Sequence, residues 1–266
     1  RIKMIIDTGL IELNDDFKIY WNKFAIGRLT NSKDYLKPNL ELIVDDILEQ
    51  NQKQKLITFL EKWIKDKIDS VLKSLVDLKN LKEKNSSIKA LAYQLYENNG
   101  VIKRDQVSQY LKDLGQNERK VLRELGVKFG RYHVFLHRLI KPEAVSLRTL
   151  LWKNYHQKSF GLKPPTFGLN FLVDSHLKDK NFMLLCGFEK FDNFFVRIDI
   201  LERLFMQIIN SNTEEKKEIK MIPEMLNLLG CSKDNFKKLL KNMNYRIIEK
   251  DNELFFKYLP PKINKK

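Results

Sequence analysis

Between residues 2 and 44 the apolar positions tend to alternate with polar ones. Phe17, Ile19 and Trp21 precede a turn-forming pair, Asn22–Lys23, and the apolar run Phe24–Leu29 follows it. After a break at Pro38, the residues Leu40, Leu42 and Val44 resume a period of two. Such alternation predicts half-buried strands. From residue 46 to residue 80 the rhythm becomes helical, with Leu56, Phe59, Leu60, Trp63 and Ile64, then Val71, Leu72, Leu75 and Val76. One long amphipathic helix is expected there, its stripe packed on the sheet or on a neighbouring domain.

Two later stretches share a plan. In the first, Ser86 or Ser87 is the expected N-cap of a helix lined by Ile88, Leu91, Ala92 and Leu95 and stopped at Asn99–Gly100. Val107, Tyr110, Leu111 and Leu114 mark a second helix. Asn117 is the expected cap of a third, with Val121, Leu122 and Leu125 inward, and Val127–Leu136 reads as a tight hairpin about Gly130–Arg131. In the second stretch, Pro223 opens a short helix ended by Gly230 and Ser232 caps the next. Tyr245–Lys250 and Glu253–Leu259 then form a hairpin about Asp251–Asn252. In that register Arg246 lies opposite Lys257, a mildly unfavourable pair that a bound phosphate would relieve.

Helix, helix, basic helix and strand pair is the order of a winged helix-turn-helix. The expected fold class is therefore α+β, mainly helical, with two winged-helix-like modules. The segments are a strand-rich part (1–48), a long helix (49–85), a first module plus the helix begun by Pro142 (86–156) and a linker holding Gly161, Pro164, Pro165 and Gly168 (157–170). A hairpin about Asp192–Asn193 and a helix opened by an Asp199–Glu202 capping box follow (171–220), with Asn212–Lys220 as a solvated loop. The second module and a basic tail complete the chain (221–266).

Charge sharpens this plan. The formal net charge is +15, and by segment it is +2 over 1–85, +8 over 86–160, zero over 161–220 and +5 over 221–266. Lysine outnumbers arginine by 38 to 11, a bias that AT-rich codon usage also produces, so the clustering carries the argument rather than the total. Basic charge gathered on two helix-plus-hairpin surfaces points to a polyanion. The candidate nucleic-acid-binding residues are Arg119, Lys120, Arg123, Lys128, Phe129, Arg131, Tyr132 and His133 in the first module. In the second they are Lys237, Lys238, Lys241, Arg246, Lys250 and Lys257. The cations would hold phosphates, and Phe129, Arg131, Tyr132 and His133 at the hairpin tip would stack on or separate bases.

Several chemistries are missing from the residues. No G-x-x-x-x-G-K-[ST] loop occurs among the ten glycines and there is no G-x-S-x-G elbow, so neither nucleotide hydrolysis nor a serine-hydrolase site is expected of this chain. His133 and His137 stand four apart without a carboxylate to complete a metal site, and His156 and His176 are isolated. The two cysteines, Cys186 and Cys231, suggest neither a disulfide framework nor zinc. With no apolar run of about 18 residues and no signal-peptide pattern, a cytoplasmic setting is expected. The chain starts at Arg1 inside an apolar run and reads as cut from a longer polypeptide.

One segment, Arg119–Lys158, with its core LGVKFGRYHVFLHRLIKPEA followed by LRTLLW, resembles part of large alphaproteobacterial superfamily-two ATP-dependent helicases, relatives of the mitochondrial degradosome RNA helicase. Three further blocks agree in order: AIGRL with PNLELIVDDIL (25–29, 38–48), CGFEKFDNFFVRIDILERL (186–204) and MIPEMLNLLGCSKDNF (221–236). The resemblance implies an accessory C-terminal region that grips single-stranded or structured RNA, with DNA as a further substrate. Its motor would lie upstream in the same polypeptide and a nuclease would be a partner. ATP and Mg are implied for that motor alone, with no cofactor and no catalytic residue in this chain. The competing readings are a protein-docking scaffold for a nuclease and a free-standing DNA-binding regulator.

Overall fold

The computed structural model describes residues 2–43, 48–157, 161–173, 179–211 and 218–260. The expectations for Val44, His176, residues 212–217 and the tail 261–266 lie outside the described residues. The chain is mixed α and β, mainly helical, with antiparallel sheets. It divides into two compact units, one of residues 1–102, 106–128 and 135–164, the other of residues 103–105, 129–134 and 165–266.

The first unit begins with α1 (Ile2–Thr8), where strand was expected. Met4, Ile5 and Ile6 run together without alternation, so no period of two opposes the helix, and only Ile5 is buried. Thr8 Oγ1 donates back to the Met4 carbonyl at 2.7 Å, as helix geometry permits. A meander follows, β1 (Ile11–Leu13), β2 (Lys18–Trp21), β3 (Phe24–Thr30) and β4 (Asn39–Leu42), in the order 1-2-3-4. Asn22 and Lys23 turn the β2–β3 hairpin with φ of 45° and 71°, as such tight turns require. The amphipathic stripe Leu56, Leu60, Ile64 and Ile68 belongs to α2 (Gln50–Val71) and is buried. The expected single helix is interrupted: Leu72 leaves helical geometry (φ −106°, ψ 30°) and α3 (Lys73–Lys79) resumes, which keeps Leu72, Leu75 and Leu78 all in the core.

Next comes α4 (Ser86–Glu97). Its cap is Asn85, whose side chain accepts the N–H groups of Ser87 and Ile88, in place of the serines themselves. Asn99 and Gly100, at φ of 56° and 82°, end it. Then β5 (Val101–Lys103), α5 (Ser108–Lys112), α6 (Gln116–Glu124), β6 (Val127–Phe129) and β7 (His133–Leu136) follow, the strands in the order β5-β7-β6. The α6 cap is Gly115 rather than Asn117, which sits inside the first turn. Pro142 opens α7 (Pro142–His156).

The later elements are β8 (Phe171–Val173), α8 (Lys180–Leu185), β9 (Phe188–Phe191), β10 (Phe194–Arg197), α9 (Ile198–Asn210), β11 (Ile219–Lys220), α10 (Pro223–Leu229), α11 (Lys233–Asn242), β12 (Tyr245–Lys250) and β13 (Glu253–Tyr258). Gly230 and Ser232 cap as expected, with Ser232 Oγ accepting the Asn235 N–H at 3.2 Å. Two expectations are corrected. Ile219–Lys220 is not loop but a strand paired with Phe256 and Phe255, because Ile219 completes the core. Glu202 does not cap α9, which starts at Ile198 after Arg197; its carboxylate is used elsewhere. Phe194, Leu201, Leu204, Met225, Phe236, Leu239, Leu240 and Phe256 form the core of this unit. The orders β8-β10-β9 and β11-β13-β12 repeat the arrangement of β5-β7-β6, so the third strand of each set lies between the first two in all three sheets.

Candidate nucleic-acid interface

The tip of the β6–β7 hairpin, residues 129–134, is fastened by its backbone. Gly130 N–H donates to the His133 carbonyl at 2.8 Å, and Arg104 N–H donates to the Tyr132 carbonyl at 2.9 Å. The Arg104 guanidinium donates to the Gly130 carbonyl at 2.7 Å. The buried Glu202 carboxylate, on α9, accepts the N–H of Arg131 at 2.7 Å and of Tyr132 at 2.9 Å. Two adjacent N–H groups converging on one carboxylate form strong charge-assisted bonds. Glycine is needed at 130 because a Cβ there would collide with the Glu202 carboxylate.

This clamp sets Arg131 and Tyr132 at a cleft of about 460 Å³, lined also by Phe205 and Ile208 of α9, Ile219, Tyr245, Lys257 and Tyr258. The Arg131 guanidinium lies 5.8 Å from the ring centres of both Tyr132 and Phe205, within cation–π range. Tyr132 meets Phe205 edge-on at 5.8 Å, and Tyr245 meets its cross-strand neighbour Tyr258 at 5.5 Å. Burial raises the phenol pKa of Tyr132 and of Tyr245, so both remain neutral donors. Tyr258 is 42% exposed at the rim. Aromatic faces beside two cations can stack a base while neutralising its phosphate.

The other candidate residues divide sharply. His133 is corrected outright: it is 1% exposed and its Nε2 bonds the Glu189 carboxylate at 2.7 Å, so its ring is closed to a base. Lys103 stands 3.2 Å from the same carboxylate. Burial works to raise the Glu189 pKa, but the His133 hydrogen bond and the His133 and Lys103 charges prevail and hold it below the ordinary carboxylate range. Arg119 turns its guanidinium back to the carbonyls of Leu111 and Leu114, closing the end of α5. Lys237 pairs with Glu249, and Lys250 with Glu218 at 3.2 Å. Phe129 is half-buried, while Lys120, Arg123, Lys128, Lys238, Lys241 and Arg246 are exposed on α6, β6, α11 and β12. The expected opposition of Arg246 and Lys257 is present in the β12–β13 register.

Sequence reading missed Phe205, Tyr245, Tyr258, Gly130 and Glu202. Tyr245 and Tyr258 bracket the hairpin at matching distances from Asp251–Asn252, a signal that cross-strand pairing could have supplied. Among the described residues no group of three or more His, Cys, Asp or Glu could hold a metal ion, and no helix is long and apolar enough to cross a membrane. His137 bonds the Gly126 carbonyl through Nδ1 at 2.9 Å. Cys186 is buried, and burial pushes the Cys231 thiol up to about 11. No protein-family model, curated protein or solved structure matches the chain.

Proposed function

We propose that this chain is a nucleic-acid-binding accessory region that holds a single strand, RNA first, for an ATP-dependent helicase motor. The observation that carries the reading is the cleft where Arg131 and Lys257 stand among Tyr132, Phe205, Tyr245 and Tyr258. Helix, strand, two helices and two strands, with the third strand central, occurs at 86–136 and again at 198–258, which supports reading both as winged helices. The tip of the first and the hairpin of the second supply the two sides of the cleft. Exposed Lys238, Lys241 and Arg246 would hold further phosphates in the unit that carries the cleft, and exposed Lys120, Arg123 and Lys128 would hold phosphates on the other unit. The helicase parentage, with its cytoplasmic setting and its ATP and Mg, rests on the sequence blocks alone.

The test is titration of single-stranded RNA against the whole chain at several salt concentrations. About five phosphate contacts give a log–log slope near −3.5. Tyr258→Ala removes one stacking face from the rim and is expected to weaken binding by about 1–3 kcal/mol. Full affinity in that variant and in Arg131→Glu would overturn the assignment. A protein-docking role is the second reading, favoured by Met206, Ile209 and Leu259, which are 53%, 47% and 48% exposed. Negligible RNA affinity with tight binding to an acidic protein would select it.

A further inference from the structure

The cleft that Arg131 and Lys257 share with Tyr132, Tyr245 and Tyr258 lies within the second unit, and its polar groups are left over from folding. Among the described residues neither cation has a carboxylate partner, none of the three phenol O–H groups has an acceptor, and no acidic side chain lines the cleft. The Arg131 backbone N–H is taken by Glu202, but its guanidinium meets only the ring faces of Tyr132 and Phe205. A guanidinium stacked on rings keeps its N–H edge for an anion.

Tyr245 is the most telling of these groups. It is 7% exposed and packs edge-on against Phe256 at 5.4 Å and Tyr258 at 5.5 Å. Unlike Asn99 Oδ1 and Gln207 Oε1, which are sealed off without a partner, its hydroxyl keeps accessible surface, and Tyr245 lines the cleft. Burial has the largest influence on the phenols of Tyr132 and Tyr245. After burial, Tyr132 feels Tyr245, Arg131 and Tyr258, and Tyr245 feels Tyr258 and Arg131. The hydroxyls and the guanidinium thus surround one small volume. A hydroxyl so nearly buried and without an acceptor is costly, and a ligand oxygen relieves it.

These donors select among anions. A carboxylate has two coplanar oxygens, which an arginine fork alone can satisfy. An internal phosphodiester has two free oxygens and a single charge. A phosphomonoester has three free oxygens and a charge of about −1.5 to −2 at neutral pH, matching two cations and several phenols that approach from different sides. We propose that the cleft holds the terminal phosphate of a strand, with the adjoining nucleoside against Phe205, Ile208 and Ile209. This rests on the strand-binding reading and makes the ligand a strand end rather than its middle. A 5′-phosphate and a 3′-phosphate share the chemistry.

Competition binding to the whole chain tests the site, with one oligoadenylate carrying a 5′-phosphate, a 3′-phosphate or hydroxyls at both ends. One phosphorylated end is expected to bind about tenfold more tightly than the hydroxyl-ended strand, and the end that gains identifies the source. Tyr245→Phe keeps its ring in the core and Tyr258→Phe keeps its ring at the rim. Each removes one donor and is expected to cut the preference about threefold, with circular dichroism and thermal melting reporting on the fold. Equal affinity for the three strands overturns the terminal-phosphate proposal and leaves the strand-binding reading standing; no affinity for any of them overturns both. An undiminished preference in both phenylalanine variants overturns the proposal, as does a phosphotyrosine peptide that binds more tightly than either phosphorylated strand.

Discussion

The hairpin tip at 129–134 and the hairpin β12–β13 hold corresponding places in two stretches of the same element order, yet they use their polar groups differently. The first is short, and its N–H groups, carbonyls and histidine are taken up by Glu202, Arg104 and Glu189. The second has six-residue strands turned by Asp251 and Asn252 at φ of 51° and 61°, and it sets Arg246 against Lys257. One has its tip fastened by buried ion and hydrogen bonds; the other carries surface ion pairs, Lys237–Glu249 and Lys250–Glu218, and still leaves Arg246 and Lys257 in opposition. Basic and aromatic residues of equal promise in a sequence are therefore unequal in the fold. A residue consumed by its own protein is poorly placed to hold a ligand, and the cleft forms where each hairpin still offers side chains outward.

The clamp on the tip breaks most severely at Gly130. Alanine there drives a Cβ into the Glu202 carboxylate and to 2.7 Å from the His133 carbonyl. Overpacking of this kind typically costs about 1–3 kcal/mol, and disturbed charge-assisted bonds add to it, so a loss of about 3 kcal/mol is expected for Gly130→Ala. All three tryptophans, Trp21, Trp63 and Trp152, fall in the first unit, so hydrogen exchange at the Leu239 and Phe256 amides is the proper readout. Unchanged protection would mean that the tip is not clamped.

A smaller effect is expected at Glu189. Glu189→Gln removes a charge that accepts from His133 and faces Lys103, for about 2 kcal/mol at neutral pH. Because the folded-state pKa of Glu189 is depressed, its contribution is complete above the unfolded value, about 4.3, and is lost as pH falls through the folded value. Wild type and Glu189→Gln should thus converge in stability at acid pH. A gap that persists there would assign the loss to packing rather than charge.

The same contrast marks what a sequence discloses. Turns needing left-handed backbone were legible because Asn and Asp tolerate it: Asn22–Lys23, Asp192–Asn193 and Asp251–Asn252 all lie in hairpin turns. The facing of Arg246 and Lys257 followed from the turn alone. The strands β5, β8 and β11 were not legible, since two or three residues cannot display a period and their partners are remote. Glu202 was misread for a related reason. Asp199 and Glu202 have capping-box spacing, but the groups that occupy Glu202 are 71 and 70 positions away. The cleft was half legible: Arg131, Tyr132 and Lys257 were chosen by type, whereas their meeting with Phe205 and Tyr245 depends on tertiary packing.

The least effect, and the one that separates binding from stability, is expected at Lys257. Replacing it with glutamate turns the opposition to Arg246 into an attractive cross-strand pair, a change of about 0.5 kcal/mol in favour of the fold. The same substitution removes a cation from the cleft and reverses the local field. RNA affinity should therefore fall, and the magnitude of the salt slope should shrink by about 0.7 for the one lost phosphate contact. A variant that is slightly more stable and binds less would show that the like-charge pair is retained for an anion. Equal loss of stability and of affinity would instead make Lys257 a structural residue, and the second hairpin would then resemble the first.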